Sequence, residues 1–112
     1  MESANAVCAL SALAHEHRLA AFRLLVQAGE GGIAAGTLAE QLDVPASSMS
    51  FHFAQLANAG LVTQRRESRS IIYSADYGAM NALMGYLTEN CCGGASCADD
   101  AAAPLKVKER TA

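Results

Sequence analysis

The stretch from Thr37 to Val62, TLAEQLDVPASSMSFHFAQLANAGLV, leaves this chain few folds to choose from. Leu38 and Leu42 lie one helical turn apart, the spacing of a short helix's buried face. Asp43-Val44-Pro45 then interrupts it, because proline cannot donate to the preceding turn and pushes its neighbour away from helical angles. From Ala46 to Asn58 a helical period resumes, with Met49, Phe53 and Leu56 at i, i+4 and i+7, and Gly60 ends it. Two short helices about a tight turn, the second with a small polar outer face, make a helix-turn-helix. Leu61–Arg66 and Ser70–Ser74 follow as β-type runs joined by the polar turn Glu67-Ser68-Arg69. A helix-turn-helix followed at once by a basic hairpin is a winged helix. The expected class is mainly α with a small β-hairpin (α+β).

Four motifs in order, TLAEQL, SSMSFH, LANAGLV and RRESRSIIYS, resemble the ArsR/SmtB family of bacterial metal-sensing repressors. The resemblance runs from Leu10 to Asn90. It implies operator DNA as partner and a homodimer built through the first and last helices. There are departures. The family usually carries Asp-Pro-Thr in place of His15-Glu16-His17, which leaves the second helix without its proline. It usually carries Gln where Ala46 stands and His where Phe51 stands, so the operator is expected to be read differently. His52 matches the family's second histidine and is taken equally as a packing residue or a base contact.

With 112 residues the chain makes one domain, small but able to bury a core. Its 52% hydrophobic content owes much to alanine, which predicts a thin core and apolar helices that a second copy would cover. No run approaches a membrane span or has the make-up of a leader, so a cytoplasmic protein without a membrane partner is expected. In that compartment four cysteines are expected as ligands or redox thiols rather than disulfides. The net charge of -3 argues mildly against nucleic acid, but distribution matters more than the sum. Between Ser47 and Ser74 the charges are Arg65, Arg66 and Arg69 against Glu67, all on the wing.

Ser3–Leu13 reads as a first helix, apolar at Val7, Leu10 and Leu13, with Cys8 taken as a small buried hydrophobe. A second spans His15 to Ala28, with Leu19, Phe22, Leu25 and Val26 inward, until Gly29, Gly31 and Gly32 stop it. His15 and His17, two apart, are expected on different helix faces, solvated or facing a dimer partner. Asp76 is placed as the N-cap of a last helix reaching Glu89 or Asn90, with the stripe Met80, Leu83, Met84 and Leu87. The plan is thus a winged-helix and dimerisation domain over 1–90, a cysteine segment over 91–97, and a disordered tail over 98–112.

Asn90 to Cys97 reads NCCGGASC. On a helix end, adjacent Cys91 and Cys92 splay their thiols about 100° apart. Gly93-Gly94 breaks the helix, and the small Ala95 and Ser96 let Cys97 turn back towards them. Thiolates select soft centres. Structural zinc takes four ligands, whereas this segment supplies three cysteines and no histidine. Trivalent arsenic and antimony form three bonds and carry a lone pair, so three sulfurs complete their shell. Cys91, Cys92 and Cys97 are therefore the candidate metal ligands, with As(III) or Sb(III) as inducer and no organic cofactor. The segment also resembles that of arsenic-responsive family members, whose cysteines lie at the end of the last helix. Two other family sites are missing: Gly36 to Leu42 holds no cysteine, and Gly78 and Glu89 stand where the last helix's zinc site has histidines.

On the outer face of the second motif helix stand Ser47, Ser48, Ser50, Phe51 and Ala54. The serines can bond phosphates or base edges, and Phe51 can meet a thymine methyl. With His52 and the wing arginines Arg65, Arg66 and Arg69, they are the candidate DNA contacts. The expected function is a transcriptional repressor, not an enzyme, that leaves its operator on binding inorganic or methylated trivalent arsenic. The alternatives are a winged-helix repressor sensing thiol oxidation or a divalent soft metal (Zn or Cd), and, from another class, a thiol-based arsenite carrier. A carrier would not need a helix-turn-helix.

Overall fold

The computed structural model describes residues 1–94. Five helices, α1 (Ser3–Leu13), α2 (Glu16–Ala28), α3 (Ala35–Leu42), α4 (Ala46–Asn58) and α5 (Tyr77–Leu87), surround a small antiparallel sheet. Its strands, β1 (Ile33–Ala34), β2 (Val62–Glu67) and β3 (Ser70–Ala75), lie in the order β1-β3-β2. This is a winged helix-turn-helix. A turn of 3-10 helix, Cys91–Gly94, follows α5.

The break between α3 and α4 is made as the residues dictate. Asp43 takes a left-handed angle (φ 56) and Pro45, at the N-cap of α4, keeps an extended ψ of 145. Met49, Phe53 and Leu56 turn inward and are at most 2% exposed, while Gly60, at φ +79, releases the chain towards the wing. β2 and β3 pair from Val62↔Ala75 to Glu67↔Ser70, leaving a two-residue turn in which Ser68 is left-handed. The Phe53 ring stacks on Tyr73 of β3 at 4.0 Å between centroids, which fixes α4 against the sheet. Asp76 caps α5 by accepting the Ala79 N–H at 3.0 Å, and the Tyr77 hydroxyl donates to the carbonyls of Val26 and Leu25 at the end of α2.

Several expectations are corrected. On α1 the core side is the alanine stripe Ala6, Ala9 and Ala12, whereas Val7 and Leu10 stay exposed. Val7 and Leu10 lie on the other side, whereas Leu13 is half-buried against the core. Cys8 is exposed rather than buried. On α2 the buried residues are Ala21, Phe22 and Leu25; Val26 is half-buried and Leu19 exposed. The stripe on α5 divides: Leu83 belongs to the chain's own core and Met80 packs against it, but Met84 and Leu87 are exposed. α5 ends at Leu87, with Thr88 as C-cap, before the cysteines. The tail over 98–112 lies outside the described residues.

β1 has only two residues, too short to show a period, and pairs with β3 through Ile33↔Tyr73 and Ala34↔Ile72. Gly32 makes that approach possible. A Cβ on it would lie 2.3 Å from the Tyr73 carbonyl oxygen and 2.6 Å from Ser74 Oγ, and its φ is +77. Ser74 Oγ meanwhile donates to the Glu30 carbonyl, closing the loop over the sheet. Gly32→Ala combines a left-handed backbone with a backbone clash, so it is expected to cost on the order of 2–4 kcal/mol. Urea unfolding of the variant measures it, with Gly31→Ala, where a Cβ meets open space, as the near-neutral control.

Candidate nucleic-acid interface

α4 presents Ser47, Ser48, Ser50, Phe51 and Ala54 to solvent, so a single face carries five of the residues placed there from the sequence. Ser50 Oγ donates to the Ala46 carbonyl one turn back at 3.1 Å. Phe51 keeps 59% of its surface exposed, a large apolar ring outside the core and free to meet a base edge. Arg18 of α2 holds its guanidinium 5.9 Å from the centre of that ring.

His52 is different. It is 6% exposed, so of the two roles given for it the packing one describes its place in this chain. Its Nδ1 has no hydrogen-bond partner among the described residues. Burial holds its pKa below the ordinary histidine value, and His15, Arg18 and His17 add to that by charge.

The three wing arginines are all exposed, but they do different things. Arg65 donates to Glu67 Oε2 at 2.7 Å and to the Gly31 carbonyl at 3.0 Å, tying the wing to the loop before β1. Arg66 and Arg69 make no ion pair among the described residues, which leaves their charge for phosphate. The net wing charge is therefore carried outward by these two.

The histidines at the head of α2 were not found by helical spacing. His15 is the N-cap, with φ -155 and ψ 132, so it is not on the helix and the two-apart rule does not apply to it. Its Nδ1 accepts the His17 N–H at 3.1 Å, and the rings lie 5.4 Å apart. Both also face His52, at 4.5 and 5.7 Å. Pairing between the head of α2 and α4 is a tertiary fact that no local pattern announces.

At the other end of the chain, Cys91 is exposed with a free thiol, and Cys92 is disulfide-bonded. Cys97 lies outside the described residues. Among the described residues no three His, Cys, Asp or Glu side chains stand together as a metal site.

An exposed recognition helix beside a basic hairpin defines the class of DNA-binding transcriptional regulators. The comparisons agree. A family described as "Helix-turn-helix domain" matches residues 13–65. The HTH-type transcriptional regulator YgaV of Escherichia coli (strain K12) is 32% identical over 79% of this chain and 87% of its own length. The transcriptional activator HlyU of Vibrio cholerae is 32% identical over 76% of each chain. The solved HlyU structure covers 82% of this chain and 99% of its own at a TM-score of 0.63 and 30% identity. An ArsR-like transcriptional regulator from Rhodococcus sp. RHA1 has a TM-score of 0.66 and 27% identity over 75% of this chain and 76% of its own. A possible transcriptional regulator for arsenical resistance has 0.58 and 26% over 78% and 95%. The chain belongs to the winged helix-turn-helix transcriptional regulators of the ArsR/HlyU type, which are not enzymes. No helix among the described residues is long and apolar enough to cross a membrane.

Arg66→Ala and Arg69→Ala are each expected to weaken binding to all duplexes alike and to lower the slope of log K against log salt by about 1. Phe51→Ala should instead change which sequences are selected from a random pool. Titrations at several salt concentrations check the first, sequencing of the bound pool the second.

Proposed function

We propose that this regulator acts as a homodimeric repressor that leaves its operator when trivalent arsenic or antimony is bound by the thiolates of Cys91, Cys92 and Cys97. The observation that carries the reading is the donor set: three soft ligands within seven residues, the first of them four residues beyond the end of α5. The chain around them favours a curl. Asn90, Cys92, Gly93 and Gly94 all take positive φ, so the segment bends back on itself instead of prolonging α5. The likeness to a possible regulator for arsenical resistance points the same way. An oxidised Cys92 must first be reduced before it offers a thiolate.

The dimer follows from what the protomer leaves uncovered. Val7, Leu10, Leu19, Met84 and Leu87 are all more than 40% exposed, and they come from α1, α2 and α5. An apolar groove of about 320 Å³, lined in part by Leu13, Leu19, Phe22, Met80 and Met84, lies between these helices. A second copy would cover this surface and set the two α4 helices in successive major grooves. Ordering the cysteine segment next to α5 then bears on the dimer. A coupling of about 1–3 kcal/mol would lower operator affinity about 5- to 150-fold.

One observation favours a second reading. Cys92 already forms a disulfide, so oxidation itself, rather than arsenic, could be the signal that releases DNA. The two readings part in one experiment. With reduced protein, Cys91→Ser, Cys92→Ser and Cys97→Ser should each bind operator and each lose release by arsenite, while Cys8→Ser behaves as the parent. Arsenic absorption spectra should give three sulfurs per arsenic. If one cysteine were dispensable, a two-coordinate methylarsenical would be the inducer. Release by peroxide, with arsenite inert, would install the redox reading.

Met84→Asp and Leu87→Asp test the dimer. Each puts a charge on the exposed apolar face, and sedimentation should show folded monomer without operator binding. Leu83→Asp should unfold the chain, since that side chain is in the core.

A further inference from the structure

All three histidines of the chain meet at one point, where the head of α2 lies against the inner side of the recognition helix. We propose that His15, His17 and His52 form a proton-sensitive joint between α2 and α4, so that mild acid loosens the recognition helix and weakens DNA binding. This rests on the chain's being a DNA-binding regulator and not on the cysteine segment.

The geometry of the cluster gives a second proton no acceptor. His15 caps α2 through the lone pair on Nδ1, which receives the His17 N–H. A protonated imidazole donates at both nitrogens, so charging His15 removes the cap and sets two donors against each other. It also places a cation at the positive end of the helix dipole. His52 is 94% buried by its 6% exposure, with Nδ1 unpartnered among the described residues, so it has no acceptor to stabilise a second N–H. Its ring lies 4.5 Å from that of His15 and 5.7 Å from that of His17, so any pair of protons repels.

The surroundings supply no counter-charge. The groups acting on His52 are His15, Arg18 and His17, every one of them basic. Arg18 has its own buried Nε without a partner among the described residues. Glu16, in the first turn of α2, is exposed and makes no ion pair among the described residues. α1 carries one titratable side chain, the exposed Cys8, and α4 carries none besides His52. Glu40 of α3 and Arg65, Arg66 and Glu67 of β2, on the other elements packed against α4, are all exposed.

The sign follows from linkage. A histidine held below its ordinary value is neutral in the folded arrangement, so that arrangement has its full advantage above pH 6.5. The advantage is lost progressively as pH falls from 6.5 towards the depressed folded value. α4 carries the DNA-reading face on its other side, from Ser47 to Ala54, so a loosened seat disturbs that face. Acid otherwise tightens DNA binding by adding positive charge to the protein. Weakening in acid is thus a distinctive outcome.

The experiment uses the full chain and a labelled duplex selected by this protein from a random-sequence pool at pH 7.5. Fluorescence anisotropy at constant salt should show Kd rising severalfold between pH 7.5 and 5.5, as protons gather on histidines that the seated helix keeps neutral. In the double variant His15→Asn/His17→Asn, which keeps a capping acceptor, the ratio should shrink, because the ring charges beside His52 are gone while its burial remains. Constant or tighter binding by the parent in acid overturns the proposal, as does an unchanged ratio in the double variant. Ring and amide NMR of the unaltered chain gives a check that needs no variant. His52 should titrate below 6.5, and the α4 amides should move with it; titration at or above 6.5, or α4 amides indifferent to it, overturns the joint.

Discussion

The recognition helix is held from one side. Met49, Phe53 and Leu56 are sunk into the core, and the Phe53 ring lies flat on Tyr73 of β3. That contact joins the two parts of the reading head, because β3 also carries β2 and hence the wing. An aromatic stack beyond simple burial contributes about 0.5–1.5 kcal/mol, but its geometric effect is larger than its energy. It makes helix and hairpin move as one piece. The outer face of α4 is then free to be small and polar, since none of its residues is needed to keep the helix in place.

Where the residues carried a local signal, the fold could be read in advance. The break at Asp43-Val44-Pro45, the inward trio on α4, the Asp76 cap and the hairpin all have causes within a few residues, and all are found in the structure. Apolar size was the misleading signal. On α1 it pointed to Val7 and Leu10, and the structure buries Ala6, Ala9 and Ala12 instead. β1 was invisible because a two-residue strand owes its existence to Gly32 and to a partner forty residues away.

The sites divide in the same way. The exposed polar face of α4 and the basic wing follow from periodicity, so Ser47, Ser48, Ser50 and Phe51 stand on the surface as placed. Arg65 does not behave like its neighbours, since its bonds to Glu67 and Gly31 arise only once the wing is folded against the loop. The meeting of His15 and His17 with His52 likewise depends on an N-cap geometry and a helix crossing. Long-range contacts between polar groups leave no period in a sequence.

The alanine stripe of α1 has a consequence beyond packing. Three methyl groups bury little area, so α1 gains little from its own protomer, while its larger side chains are left for a second copy to cover. Association and ordering of α1 then draw on the same surface, and the fraction of well-formed protein depends on how much of it there is. For the proposed dimer, few paired reading heads would exist at low abundance, and their number would rise steeply above the dimerisation constant. The amount of protein in the cell would then itself set how much DNA that dimer reads.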